Sequence, residues 1–482
     1  MESTQPKDQP IKLTPSQQRA YDQFHRFMKD DTKVFILKGY AGTGKTTLLK
    51  TFINDLRKMD ERFKLLASTG RAAKIIRDIT GTLASTIHSL LYVFKDLNQD
   101  LDKIYADVKE QPKMDQTGQL LLNFDFAEVE NEDYQRCFYI VDESSMVGNL
   151  EDKNPTQAIF GSGRTLHDLL NYDTKGKYIF VGDNCQLPPV NETLSPALSA
   201  EYIKREFGMS CMEAVLTDIM RQDGQNDIVL SAKRVRELYK NPPAVKWAKF
   251  PLRGYKNIKV CPSQMDLVDR YIRDIKENGY DHATLINRSN RECSQLSRLI
   301  RPALGLNGLL QKGDLLLVTQ NNIISGLANG DMVVVRQVGP FQQRAGLTFQ
   351  QVEVEELVTK RKVSQFMIAD ILCGISPNIT QTQQKALFID YFFRMKSKNI
   401  RQKSTRFKEL MLTDPYLNAL RANYGYAITC HKAQGGEWSN VYLNMPRNIS
   451  LMAKADTYQW LYTAMTRAKE NLFVVDEFYL GS

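Results

Sequence analysis

The sequence predicts an α/β fold built on parallel sheets, and three segments carry that prediction. Each is a short apolar run that stops abruptly at small or polar residues: VFILKGYAGTGKTTLLK (residues 34–50), FYIVDESSM (138–146) and IFVGDNCQLPPV (179–190). Apolar runs of this length bounded by such breaks read as strands buried on both faces, the habit of parallel sheets. Open parallel sheets gather ligands at the carboxyl ends of their strands. The polar residues that close the three runs are therefore the first candidates for a site.

At 482 residues the chain exceeds one ordinary core and is expected to form two or more domains. Its 42% hydrophobic and 25% charged residues are the composition of a globular protein. A net charge of +9, from 64 Lys and Arg against 55 Asp and Glu, favours a polyanionic partner, although such an excess also occurs on proteins that have none. Cys137, Cys185, Cys211, Cys261, Cys293, Cys373 and Cys430 include no C-x-x-C pair, so zinc and iron–sulfur sites lack their usual spacing and reduced thiols are expected. The opening MESTQPKDQPIKLTP has no apolar core behind a basic start, and no apolar run approaches the ~20 residues that span a bilayer. A cytoplasmic location and no membrane partner are the expectation.

The first segment is a phosphate loop between a strand and a helix. Gly39, Gly42 and Gly44 let the backbone N–H groups around Thr43 curl about phosphate oxygens, and Thr46 and Thr47 open a helix of apolar period. Lys45 is placed to reach the β and γ oxygens, and the Thr46 hydroxyl to take a Mg²⁺ position. The second segment supplies the carboxylates that such a loop needs. Asp142 is expected to hold Mg²⁺ through its water shell and Glu143 to polarise the attacking water. In the third, Asp183 and Gln186 fall at a strand's carboxyl end, with a tight turn stiffened by Pro188 and Pro189 as the plain structural alternative.

Two later segments, YAITCHKAQGGEW (426–438) and LYTAMTRAKENLFVV (461–475), lie far outside one nucleotide-binding core, so a second domain shares the site. With them in view the chain resembles the superfamily 1 helicases of the RecD- and Dda-like (1B) branch. LTPSQQRAY, GYAGTGKT, LLASTGRAAK, STIHSLL, VDESSM, GDNCQLPPV, LTDIMRQ, AITCHKAQGGEW and YTAMTRA follow one another in the family's order. The resemblance implies two RecA-like P-loop lobes, ATP and Mg²⁺ as cofactors, and roles for individual residues. Gln17 resembles the adenine-reading glutamine, Gln186 the residue that couples the γ-phosphate to motion, and Glu437 the ribose contact. Arg221 and Arg467 resemble the arginines that meet the γ-phosphate from the far side of the cleft. Thr69, His88, Thr429, His431 and Lys432 resemble DNA contacts, which suit small polar and basic side chains directed at phosphate and sugar. The forms Gln186-Leu-Pro-Pro and His431-Lys-Ala-Gln-Gly resemble the branch that moves 5′-to-3′.

The implied domains are residues 1–222, with a small wedge-like hairpin insertion at about 92–135, and residues 223–482, with an SH3-like barrel and a basic insertion at about 308–420. LLLNFDFAEVE alternates as a hairpin strand does, with Phe124 or Phe126 as the candidate wedge tip. KGDLLLVTQNN, LANGDMVVVRQVG, TFQQVEVEEL and VSQFMIADIL read as successive strands with Asn329-Gly330 as a turn, and an ordinary structural barrel is equally compatible with them. RMKSKNIRQKSTRFK (394–408), behind Tyr391, Phe392 and Phe393, reads either as a groove that tracks a nucleic-acid backbone or as a solvated helix face. The expected function is an ATP-dependent DNA helicase that hydrolyses ATP, moves 5′-to-3′ on single strands and unwinds tailed duplexes as a monomer. An RNA helicase, or a nucleotide-switched DNA-binding protein that does not unwind, is the competing reading.

Overall fold

The computed structural model describes residues 13–97, 124–128, 136–151, 159–218, 226–322, 324–374, 378–402, 404–451 and 454–481. Two parallel sheets organise it. The first has six strands in the order Ala84–Thr86, Phe63–Ala67, Phe138–Asp142, Lys177–Gly182, Val34–Gly39, Cys211–Leu216. The second has five, in the order Ile258–Cys261, Ala468–Val475, Trp438–Leu443, Ala283–Asn287, Ile428–Thr429. Every pairing within both sheets is parallel. All three apolar runs that open the sequence argument lie side by side in the first sheet, with Tyr139, Tyr178 and Val34 in one transverse row. Their carboxyl ends therefore share one edge.

Apolar packing on both faces explains why the runs are continuous. Phe35, Leu37 and Ile179 face one core with Phe24, Phe52 and Leu48, whereas Val34, Ile36 and Phe180 face another with Leu166 and Leu198. The helix Pro15–Lys29 closes the first of these cores. Thr14 and Gln17 form a reciprocal capping box at its start and Pro15 occupies its first turn, as LTPSQQ dictates. Phe24 stacks on Phe52 with centroids 4.0 Å apart and anchors this helix on the phosphate-loop helix Lys45–Lys58. The cysteines whose side chains are described are all unpaired. Among the described residues no helix is long and apolar enough to cross a membrane.

Two smaller sheets are inserted. An antiparallel five-stranded sheet runs Lys362–Ile368, Leu347–Glu356, Met332–Arg344, Leu315–Val318, Ala422–Tyr424. A bridge between Met367 and Leu420 draws its two edges together. The other sheet has three strands, with Phe124–Glu128 paired antiparallel to Tyr92–Leu97 and parallel to Ile159–Phe160. Phe124 and Phe126 thus lie within a strand, opposite Leu97 and Phe94, rather than at a turn; the rest of the 92–135 insertion lies largely outside the described residues. The basic stretch is part structural: Tyr391 and Phe392 are buried in a helical core, and Arg394 is held by Asp390 and Asp414. Those two aromatics are closed to base stacking. Sequence shows that a residue is aromatic but not which way a helix turns it.

Truncating Phe24 to Ala removes a fully buried ring from the core beneath the phosphate loop. The expected loss is about 3–5 kcal/mol, read as a lower urea midpoint at unchanged slope. An unchanged midpoint would show that this helix does not brace the loop.

Candidate nucleotide and nucleic-acid site

The turn from Val34–Gly39 into Lys45–Lys58 is shaped for a group held by backbone. Gly42 and Gly44 take φ of 78° and 74°, a region that side chains enter at a cost. A Cβ on Gly39 would come within 2.7 Å of the Thr43 hydroxyl and 2.8 Å of Lys45 Cγ. The helix begins with no side-chain cap and no acid in its first turn, so its leading N–H groups face the loop. Thr43 is buried and its hydroxyl donates to the Tyr40 carbonyl at 2.8 Å. The Lys45 ammonium folds over the same loop onto the carbonyls of Gly39 (2.7 Å) and Tyr40 (3.2 Å). Thr46 and Thr47 lie in the first helical turn, half-buried. From the outer helix Gln17, fully buried, donates to the Thr43 carbonyl at 3.1 Å while its oxygen accepts from the Thr14 N–H.

One strand away, Asp142 ends Phe138–Asp142 and Glu143 turns the chain with φ 51° and ψ 40°. A left-handed conformation costs a non-glycine residue ~1–2 kcal/mol, so the turn that presents Glu143 is held against a local preference. Burial of its carboxyl, and then the neighbouring Glu143, push Asp142 up to about 7, opposed by the Lys45 charge. Its strand neighbours are sealed, yet the Asp142 side chain keeps some solvent access; a carboxyl in that position gains most from a cation. No cluster of three His, Cys, Asp or Glu side chains stands ready to hold a metal among the described residues. An ion such as Mg²⁺ keeps waters and shares its coordination with substrate phosphate. Asp142 and Thr46 would hold it, and its chemistry is to neutralise charge on the phosphate oxygens.

The second sheet approaches this edge through the helix Ala455–Met465. The Tyr462 hydroxyl accepts from the Ala41 N–H of the phosphate loop (3.2 Å) and donates to Asp183 (2.6 Å). Gln459 donates to the Gln186 carbonyl, Thr463 accepts from the Leu187 N–H, and Gln434 donates to the Leu187 carbonyl. GDNCQLPPV is thus gripped along its length by the other sheet's elements, which a stiff turn alone does not require. Gln186 is buried and its side-chain oxygen has no hydrogen-bond partner. Arg467 is buried too, held by the Thr463 carbonyl, the Gly436 carbonyl and the Thr466 hydroxyl, and no carboxylate pairs with it among the described residues. A cavity of about 90 Å³ lies between Tyr40, Thr43, Tyr462 and Thr466. Glu437, beside Gly436, is exposed. Arg221 lies outside the described residues.

The residues singled out for nucleic acid assemble in part. Thr69 caps Gly70–Thr80 by accepting from the Ala72 N–H, and Gly435 packs so closely that a Cβ there would lie 3.7 Å from the Thr69 hydroxyl. This brings Thr69 against the segment of Thr429, His431 and Lys432. Thr429 is buried, His431 exposed and Lys432 half-buried, with its ammonium on Asn329; burial lowers Lys432 to about 8. His88 begins the short helix Ile87–Leu91, where burial lowers its imidazole and Tyr92 is its ring neighbour at 5.6 Å.

Several residues of the cleft were not singled out from sequence. Tyr40 is covered by Arg236, 3.6 Å from its ring centroid, and bonded by Lys240 at 2.9 Å. Nothing in the sequence around Arg236 signals this. Arg71 and Tyr462 lie inside quoted motifs, at positions to which the motifs assign no role. Arg71 stacks on Trp438 at 4.4 Å with Nε and Nη1 sealed and unbonded, and burial lowers it to about 10.

Replacing Tyr462 with Phe keeps the ring and removes the hydroxyl that joins loop and sheet. A cost of about 1–3 kcal/mol is expected, visible as a lower thermal midpoint; a midpoint equal to wild type would show that the hydroxyl bridges nothing of consequence.

Comparison with known proteins agrees with this geometry. Residues 12–241 match a family model described as an AAA domain, and residues 424–475 one described as a UvrD-like helicase C-terminal domain. The chain is 25% identical over 445 residues to the ATP-dependent RecD2 DNA helicase of Deinococcus radiodurans, across 92% of this chain and 46% of that one. It is 21% identical over 471 residues to the RecBCD enzyme subunit RecD of Buchnera aphidicola, across 93% and 71%. A solved Pif1 helicase from Bacteroides, in complex with ADP-AlF3 and ssDNA, aligns at TM-score 0.46 and 15% identity over 97% of this chain and 93% of that one. The chain spans less than half the length of the Deinococcus relative and 37% of an uncharacterized protein of Methanocaldococcus jannaschii that it also resembles. Two family models match on opposite sides of one cleft and RecD relatives align across more than nine-tenths of the sequence, so the chain is similar to the RecD-like superfamily 1 helicases.

Proposed function

We propose that the chain is an ATP-dependent DNA helicase that moves 5′-to-3′ along a single strand and unwinds tailed duplexes as a monomer. The observation that carries the reading is the shared cleft: a phosphate loop and carboxylate pair on one parallel sheet, and a buried arginine without a carboxylate partner on the other. Residues 1–222 and 223–482 act as the two lobes. The backbone around Thr43 and Gly44 binds the ATP phosphates, Lys45 exchanges the Gly39 and Tyr40 carbonyls for phosphate oxygens, and Glu143 takes a proton from the attacking water. Arg467, with Arg221, supplies positive charge from the opposite side; such arginines are worth ~10³–10⁵ in rate. Gln17 and Glu437 contact adenine and ribose.

Hydrolysis becomes movement through the seam at Asp183–Leu187, because the elements that grip Gln186 also carry Arg467. Thr69 on one lobe and Thr429, His431 and Lys432 on the other hold the strand's phosphates and sugars, with His88 as a further contact. Relative movement of the lobes then shifts one grip against the other, and the hairpin insertion parts the duplex. DNA rather than RNA is supported by the activity named for the Deinococcus relative. Direction is supported by the RecD-like form of the segments around Gln186 and His431.

Duplexes with a 5′ single-stranded tail should be unwound with Mg²⁺ and ATP, and those with only a 3′ tail should not. In Glu143→Gln turnover should fall by about 10²–10⁴ while ATP still binds. Unwinding from the 3′ tail would reverse the direction, and wild-type turnover in Glu143→Gln would remove that residue as the base.

A further inference from the structure

The helix Gly70–Thr80 that follows Thr69 is fastened to both other parts of the molecule through one face. Arg71 reaches the second sheet at Trp438, and Lys74, one turn on, reaches the inserted antiparallel sheet. Lys74 Nζ lies 2.5 Å from Asp331 and 3.8 Å from Glu356, and both carboxylate side chains are almost fully buried. These are the first and last residues of the path from the Ala328–Asp331 turn through the Met332–Arg344 strand and its partner Leu347–Glu356. Asp331 also accepts from the Ala328 N–H, so one carboxylate both shapes the turn and fastens it. The turn sits directly on the helix start, where a Cβ on Gly70 would collide with that of Ala328. At its tip, Asn329 accepts from the Lys432 ammonium.

The Ala328–Asp331 turn is therefore tied to Lys74 on one lobe and to Lys432 on the other, beside the residues proposed to hold the strand. A buried ion pair is an inefficient way to gain stability, because both charges must be desolvated. It does specify one arrangement of the elements it joins, since either charge left alone in that interior is strongly disfavoured. From this geometry we infer that Lys74 and Asp331 form a clasp that closes the inserted sheet over the bound strand and sets how long the strand is held. The inference rests on the strand-binding reading of Thr69 and Lys432. Lys74 and Asp331 are positioning residues: they act through the turn and touch no reacting atom.

The test is the release of a fluorescent oligothymidine from the full chain into an unlabelled trap, without nucleotide, beside the ATPase rate without DNA. Lys74→Met, and the double variant Lys74→Met/Asp331→Leu that leaves neither charge of the pair orphaned, should release the strand at least tenfold faster. Lys74→Arg should restore slow release, and DNA-free ATPase should stay within twofold of wild type in all three. Asn329→Ala, at an exposed position that does not threaten folding, should also speed release and carries the test if the buried variants fail to fold. Release at the wild-type rate or slower in the folded variants overturns the clasp and leaves the motor reading intact. Failure of the wild-type chain to bind the oligomer at all overturns both.

Discussion

The structure depends on a hydrogen-bonded seam between the carboxyl end of one parallel sheet and a helix of the other. Tyr462 spans it between the Ala41 N–H and Asp183, and Gln459, Thr463 and Gln434 fix the backbone of Gln186 and Leu187. These are directional bonds buried away from water, where an unmade bond is costly. They hold the two sheets in register more strictly than apolar packing would. Cys185 and Leu187 complete the contact by joining the second sheet's hydrophobic core. The proposal that the phosphate loop and Arg467 serve one site depends on this seam.

The same seam explains an arrangement of charge that would be unfavourable in a static protein. Among the described residues Arg467 is held by carbonyl and hydroxyl oxygens alone, and Arg71 presents two sealed N–H groups to no acceptor. Asp142 is pushed toward neutrality by its surroundings. Across the cleft stand cations short of anions and a carboxyl that a cation would relieve. The proposed polyphosphate and its metal would answer both deficits, and the left-handed Glu143 at the strand end is a further local cost.

What was legible in the sequence was local. The phosphate loop and the Asp142–Glu143 strand end are each written within a few residues, so spacing alone reveals them. The turn at Asn329-Gly330 was legible for the same reason, with Gly330 at φ 97°. What it fastens to was not, because Lys74 and Asp331 lie 257 positions apart and neither stands out in its own segment. Arg236 on Tyr40 is invisible for that reason too. The basic stretch reads from sequence as a groove or a solvated helix face, and neither reading contains the ion pairs that Asp390 and Asp414, outside the stretch, make with Arg394.

If one closure serves both ligands, nucleotide and strand must report on each other, and the coupling must be the same in both directions. The most direct measurement is the affinity for a non-hydrolysable ATP analogue with and without saturating single-stranded DNA, beside the affinity for the strand with and without saturating analogue. The account predicts that each ligand tightens the other by one common factor, within the ~5–150-fold range of such couplings. Two affinities that are each indifferent to the other ligand would contradict it, since the seam would then join the sheets without coupling what they bind.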